Sequence, residues 1–229
     1  MARKTTPRKR RGGPGNSVVV IGLGRFGRAL ALELVDEETE VLGIDEDAET
    51  VQTLSGALTH TVRADSTKED ALRQLGVHEF DRAVVAIGTD LEASILTTSL
   101  LISFGVENVW AKAISEAHGR ILTQLGVHHV VYPEHDMGQR VAHLVRGRML
   151  DYIEFEDDFA MVKTNPPGDI IGLPLSSSAV RSRYGITVVA IKRPGQGFTY
   201  ATAETTVEAN DTIIVAGRTR ETERFSELR

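Results

Sequence analysis

Apolar runs and helix-spaced segments alternate through the first 133 residues of the chain. "SVVVIG", "TEVLGID", "HTVRAD", "DRAVVAIG", "VENVWAKA" and "VHHVVYP" read as six strands. Between them lie "RFGRALALELV", "DAETVQTLS", "KEDALRQLG", "LEASILTTSLLISFG" and "EAHGRILTQLG", which read as helices; in the first, Phe26, Leu30 and Leu34 share a face. This alternation predicts an α/β fold, a parallel sheet with helices on both faces. Right-handed crossovers then give a Rossmann-like, doubly wound sheet of order 3-2-1-4-5-6.

The pattern changes after Pro133. "EHDMGQRVAHLVRGRMLDYIEF" reads as one long amphipathic segment, with Met137, Val141, Leu144 and Val145 on a stripe and Met149 continuing near it. Such a stripe needs a partner in a second domain or a second subunit. From about residue 157, "FAMVKT", "ITVVAIKRP", "FTYAT" and "DTIIVAG" read as short strands. "SSSAVRSRYG" reads as a Ser-capped helix and "TRETERFSEL" as a closing helix, so a small α+β domain is expected. The expected divisions are a basic tail over 1–16, a Rossmann-like domain over 17–133, a crossover helix and linker over 134–156, and the small α+β domain over 157–229.

Composition narrows the function. The chain has 229 residues, enough for one large or two small domains, and no cysteine, so disulfides and cysteine-based zinc sites are excluded. No apolar run is long enough to cross a membrane, and no apolar segment of a secretory signal follows the basic start, which suggests a cytoplasmic protein. Residues 1–16 carry Arg3, Lys4, Arg8, Lys9, Arg10 and Arg11 and no acid. The whole chain is −6, so the rest carries −12. An acidic body argues against nucleic acid as a partner. The tail reads as a disordered, solvated arm or as a contact for anionic lipid or an acidic partner.

Chemistry concentrates in "VIGLGRFGRAL". Gly22, Gly24 and Gly27 have G-x-G-x-x-G spacing between a strand and a helix. Gly22 suits the tight turn, Gly24 the approach of a diphosphate, and Gly27 close helix–sheet packing. The helix N-terminus offers N–H groups and partial positive charge to phosphate. Asp45 ends the second strand, placed to accept ribose hydroxyls and to repel a 2′-phosphate. Asp65, with Ser66 after it, stands at the adenine end of such a crevice; Asp65, Ser66 and Thr67 also compete to cap the next helix. Arg25, beside Phe26 in the loop, reads as a phosphate contact or a solvent-facing arginine. Lys112, ending the fifth strand, reads as a crevice lysine or a snorkelling one. The seven histidines form no i, i+4 metal pair, and no catalytic set stands out, so no enzyme activity is expected.

These residues resemble a family. "VIGLGRFG", "VVAIGTDLEASILTT", "VWAKA", "YPEHDMGQRVA" and "RSRYGITVVAIKRPG" are similar to the RCK (or KTN) regulatory subunits of bacterial Ktr/Trk potassium-uptake systems, and the single glycine loop matches the Ktr type. The resemblance implies a homo-octamer, a tetramer of dimers, on the cytoplasmic face of an integral-membrane potassium-translocating subunit. It implies competing ATP and ADP at the glycine loop, with Arg25 meeting the γ-phosphate of nucleotide in the paired subunit and Lys112 near the same phosphates. Glu134 then helps hold a divalent cation or sodium between facing γ-phosphates; on its own position it also reads as a helix-dipole acid. Arg181 and Tyr184 fall on the pattern of modules that bind cyclic di-AMP. The apolar pair expected about six residues before Arg181 reads Leu175-Ser176 instead, and Ile170-Ile171 lies further upstream. Two alternatives stay open: an NAD(H)-binding redox sensor or oxidoreductase, since Asp45 tolerates NAD, and a regulator of a cation/proton antiporter.

Overall fold

In a computed structural model, residues 16–146 and 148–228 are described; the basic run from Arg3 to Arg11 lies outside them. The chain divides into two compact units between Glu134 and His135.

The first unit holds six parallel strands, β1 (Ser17–Ile21), β2 (Glu40–Asp45), β3 (His60–Arg63), β4 (Arg82–Val85), β5 (Asn108–Lys112) and β6 (His129–Val131), in the order β3-β2-β1-β4-β5-β6. Five helices alternate with them: α1 (Arg25–Asp36), α2 (Ala48–Leu54), α3 (Glu69–Gln74), α4 (Leu91–Ser103) and α5 (Glu116–Gln124). The doubly wound expectation holds. Alternate residues of β1 explain why both faces are covered. Val18 and Val20 pack with Leu23, Ala31, Val41 and Leu54 on one side. Val19 and Ile21 pack with Leu72, Leu101, Val109 and Leu122 on the other. The order reverses between β1 and β4, and there an α/β sheet of this kind opens a crevice beyond its strand ends.

Two expectations for this unit change. Phe26 does not join the core face of α1: the helix buries Gly27 and Ala31 and packs Leu30 and Leu34, while the Phe26 ring turns toward the Lys112 ammonium, 5.9 Å away. None of Asp65, Ser66 and Thr67 caps α3. Asp65 Oδ1 accepts from the backbone N–H and the hydroxyl of Thr67, at 2.9 and 2.6 Å. That local turn delays the helix until Glu69, with Lys68 as its cap residue.

The long amphipathic segment is two elements. α6 (Pro133–Arg146) is followed by an edge strand, β7 (Asp151–Phe155). The second sheet therefore starts at Asp151, inside the expected linker. It has five antiparallel strands in the order β10-β9-β11-β8-β7, the others being β8 (Phe159–Thr164), β9 (Thr187–Lys192), β10 (Phe198–Tyr200) and β11 (Thr212–Arg218). Its core joins Met149, Tyr152, Val162, Ile186, Ile213 and Val215 with Phe225 of α9 (Thr219–Ser226). The expected Ser-capped helix is two short ones, α7 (Leu175–Ser178) and α8 (Val180–Tyr184), without side-chain caps. Ala179 breaks them by taking φ +53°, a left-handed conformation that ends a helix. On α6, Leu144 packs on the second core, whereas Met137, Val141 and Val145 stay exposed.

Candidate functional site

In a parallel sheet all strands end on one side, so the residues just past β1, β2, β4, β5 and β6 share an edge. At the end of β1 the chain turns through Gly22, which has φ +90° and donates its N–H to Ile44 O at 2.8 Å. A Cβ at Gly27 would sit 1.9 Å from Gly22 O, so α1 packs against the turn as only glycine allows. Gly24 differs. Its backbone is extended (φ −62°, ψ −170°), and an added Cβ meets no protein atom within 4 Å. Nothing in the protein's own packing requires glycine there, so the space beside its backbone is open to an approaching group.

The α1 N-terminus is suited to an anion. α2, α4 and α5 are capped by Asp47, Asp90 and Ser115, and α2 to α5 each carry an acid in the first turn. α1 has neither a side-chain cap bond nor a first-turn acid, so its leading N–H groups keep their capacity for an outside acceptor. Asp45 braces the loop above it. Its Oδ2 accepts from Leu23 N at 2.6 Å and its Oδ1 from Asp47 N at 2.9 Å. Each oxygen keeps a second lone pair, which leaves room for a ribose hydroxyl to donate. The bracing role was absent from the sequence reading.

Past β4 and β5 the charges gather. Lys112 is 8% exposed, and its Nζ donates to Glu134 Oε1 at 2.5 Å. Gly88, beyond β4, lies against it: a Cβ there would stand 3.1 Å from Nζ. The Lys112 hydrogen bond, chiefly, holds the Glu134 carboxyl below its usual range, and the Arg25 guanidinium adds to the lowering. The pair is thus intact at neutral pH and, on the acid side, breaks as pH falls through that lowered value. Arg25 itself is exposed and makes no ion pair among the described residues. The edge therefore brings Gly24, Asp45, Arg25, Lys112 and Glu134 together. Asp65 stays exposed on its own turn, and Ser66 points inward, its hydroxyl 2.8 Å from Thr97 Oγ1.

For a cation, Glu134 stands alone: no group of three or more His, Asp or Glu that could hold a metal occurs among the described residues. An ion here fits only if a ligand's phosphates or another subunit supply the remaining donors.

In the second unit, Arg181 and Tyr184 both lie on α8. Arg181 Nε donates to Thr187 Oγ1 at 3.2 Å, and the Tyr184 hydroxyl donates to Asp169. Asp169 also takes Arg183 Nη2 at 2.6 Å, and its hydrogen bond raises the Tyr184 phenol above its usual range. Asp169 and Arg183 were not legible from spacing. Ile170 is buried in the core and Leu175 packs beside it.

A glycine-loop α/β unit followed by a small antiparallel α+β unit is the architecture of an RCK-type regulatory protein. The TrkA-N domain family matches residues 18–133 and the TrkA-C domain family residues 159–229, and the chain belongs to this Ktr-type RCK family. It is 37% identical over 207 residues to Ktr system potassium uptake protein C of Bacillus subtilis (strain 168), covering 90% of this chain and 94% of that one. It is 35% identical over 199 residues to Ktr system potassium uptake protein A of Vibrio alginolyticus, covering 86% and 90%. The fold is also that of the GsuK channel bound to NAD, with TM-score 0.63 at 16% identity. The superposition covers 94% of this chain and 39% of that longer one. No helix among the described residues is long and apolar enough to cross a membrane.

Proposed function

We propose that this protein is a gating subunit of a potassium-uptake system, switched by whether ATP or ADP fills the glycine-loop site. The observation that carries the reading is the α1 N-terminus. It is uncapped, free of first-turn acids and reached past Gly24, and basic Arg25 and Lys112 lie on the same strand-end edge. ATP and ADP share everything up to the β-phosphate, so only contacts to the γ-phosphate can separate two states, and a ligand shifts an equilibrium only by its differential affinity. Charge-assisted contacts from two basic side chains supply a few kcal/mol, on the order of what a full population shift needs.

The membrane partner would be an integral potassium-translocating subunit, with this protein at the cytoplasmic face. Assembly into an octamer of paired subunits gives the exposed stripe of Met137, Val141 and Val145 a partner in a second copy. Exposed Trp110, stacked on His129 with ring centroids 4.0 Å apart, is a second apolar surface for such packing. Glu134 would join a sodium or divalent cation between facing γ-phosphates. Arg181 and Tyr184 would contribute to a cyclic di-AMP site, once the Asp169 contact to Tyr184 has rearranged. Asp45 keeps NAD(H) as the second ligand reading, because its free lone pairs serve either adenosine ribose.

Arg25→Ala tests the switch. Titrated calorimetrically with each nucleotide, the variant is expected to lose about tenfold in ATP affinity, roughly one charge-assisted contact, with ADP affinity unchanged. Unaltered preference for ATP contradicts the reading. A parallel NADH titration by nicotinamide fluorescence decides the alternative: tight NADH binding that ATP does not displace favours the redox sensor.

A further inference from the structure

The two members of the Lys112–Glu134 pair are unequally committed to it. The Lys112 side chain is 10% exposed and the Glu134 side chain 62%. A buried ammonium without a counterion is costly, so Lys112 needs an anion beside it at all times. Glu134 can rotate into water at little cost, because an exposed carboxylate is already well solvated. The ammonium cannot follow it into water without exposing a side chain that the fold buries; its neighbours there are Gly88, where an added Cβ would stand 3.1 Å from Nζ, and the Phe26 ring, 5.9 Å away. Lys112 is therefore a buried cation with an exposed, exchangeable counterion.

From this asymmetry we infer that Glu134 is an internal competitor for the terminal phosphate: a triphosphate takes its place on Lys112 and releases the carboxylate. The inference rests on the adenine-nucleotide reading of the site and adds its regulation. Glu134 is the second residue of α6, while Lys112 ends β5, so the pair ties the first turn of that helix to the sheet. Exchange would untie it. A diphosphate lacks the extra phosphoryl group and leaves the pair closed. Arg25, which already acts electrostatically on Glu134, gains the same phosphate when the carboxylate leaves. Glu134 is here a positioning residue, acting on the nucleotide through Lys112.

The test compares the full-length wild type with Glu134→Gln, Lys112→Met and the double variant, titrated with ATP and with ADP in metal-chelating, sodium-free buffer. Chelation removes any contribution from a carboxylate-bound cation. Exchange predicts that Glu134→Gln binds ATP about tenfold more tightly, with ADP moving much less, since the loss of one competing charge-assisted partner is worth that factor. It also predicts that the gain disappears on the Lys112→Met background, a coupling that a merely structural role for Glu134 does not give. Unchanged or weaker ATP binding by Glu134→Gln overturns the exchange while leaving the nucleotide reading intact. Failure of the wild type to bind either nucleotide overturns both.

Discussion

Gly27→Ala is expected to unfold the first unit or to cost it about 4 kcal/mol, the range of severe overpacking at a rigid contact. The added methyl would lie 1.9 Å from Gly22 O and 2.9 Å from the Ala86 Cβ. Neither can retreat. The Gly22 turn is pinned by its N–H to Ile44 O at 2.8 Å, and Ala86 N donates to Ile21 O at 2.7 Å, fixing β4 against β1. α1 would have to lift off the sheet, opening the cluster that joins Ala31 to Val18 and Val20. Thermal unfolding by circular dichroism should show the first transition lowered by roughly 10 °C or more. A shift of a degree or two would mean that the helix and turn are looser than their contacts indicate.

Gly24→Val has the opposite profile. The residue's φ and ψ are open to any L-amino acid, and the side chain meets no protein atom at its root. Stability should fall by less than about 1 kcal/mol, the modest cost of a poorer helix cap. Nucleotide affinity should fall by at least about 100-fold, because the branched side chain occupies the approach to the α1 N–H groups. Calorimetric titration beside a melting curve reads both quantities. Retained binding would place the phosphates elsewhere, and the same two glycines, three residues apart, would then both be structural.

The contrast between these positions explains how much was legible in the residues alone. The six-stranded sheet was, because strand and helix periods alternate without a break and its strands are short and apolar. The glycine spacing was legible for the same reason: it records backbone constraints that are local. What escaped depends on contacts distant in sequence or on position within the fold. Phe26 shares a helical face with Leu30 and Leu34, yet the first turn of α1 overhangs the end of the sheet, so its ring meets Lys112 rather than the core. Strand β7 was hidden because Tyr152 is buried while Ile153 and Phe155 are exposed, an edge strand apolar on both sides and lacking a clean alternation. Lys112 was marked out by its place at the end of the fifth strand and Glu134 by family resemblance. Their pairing across 22 residues depends on β5 and β6 lying side by side, which no spacing rule states. Tyr184 was marked out by resemblance too, but its acceptor, Asp169, lies 15 residues earlier on a different element.

Small-angle X-ray scattering of the full chain, saturated first with ADP and then with ATP, is the most direct measurement of a nucleotide-switched assembly. A multi-subunit particle whose scattering profile changes between the two nucleotides is the expected result. Superimposable profiles, or the scattering of a single 25 kDa chain in both, would contradict a gating role at the glycine loop.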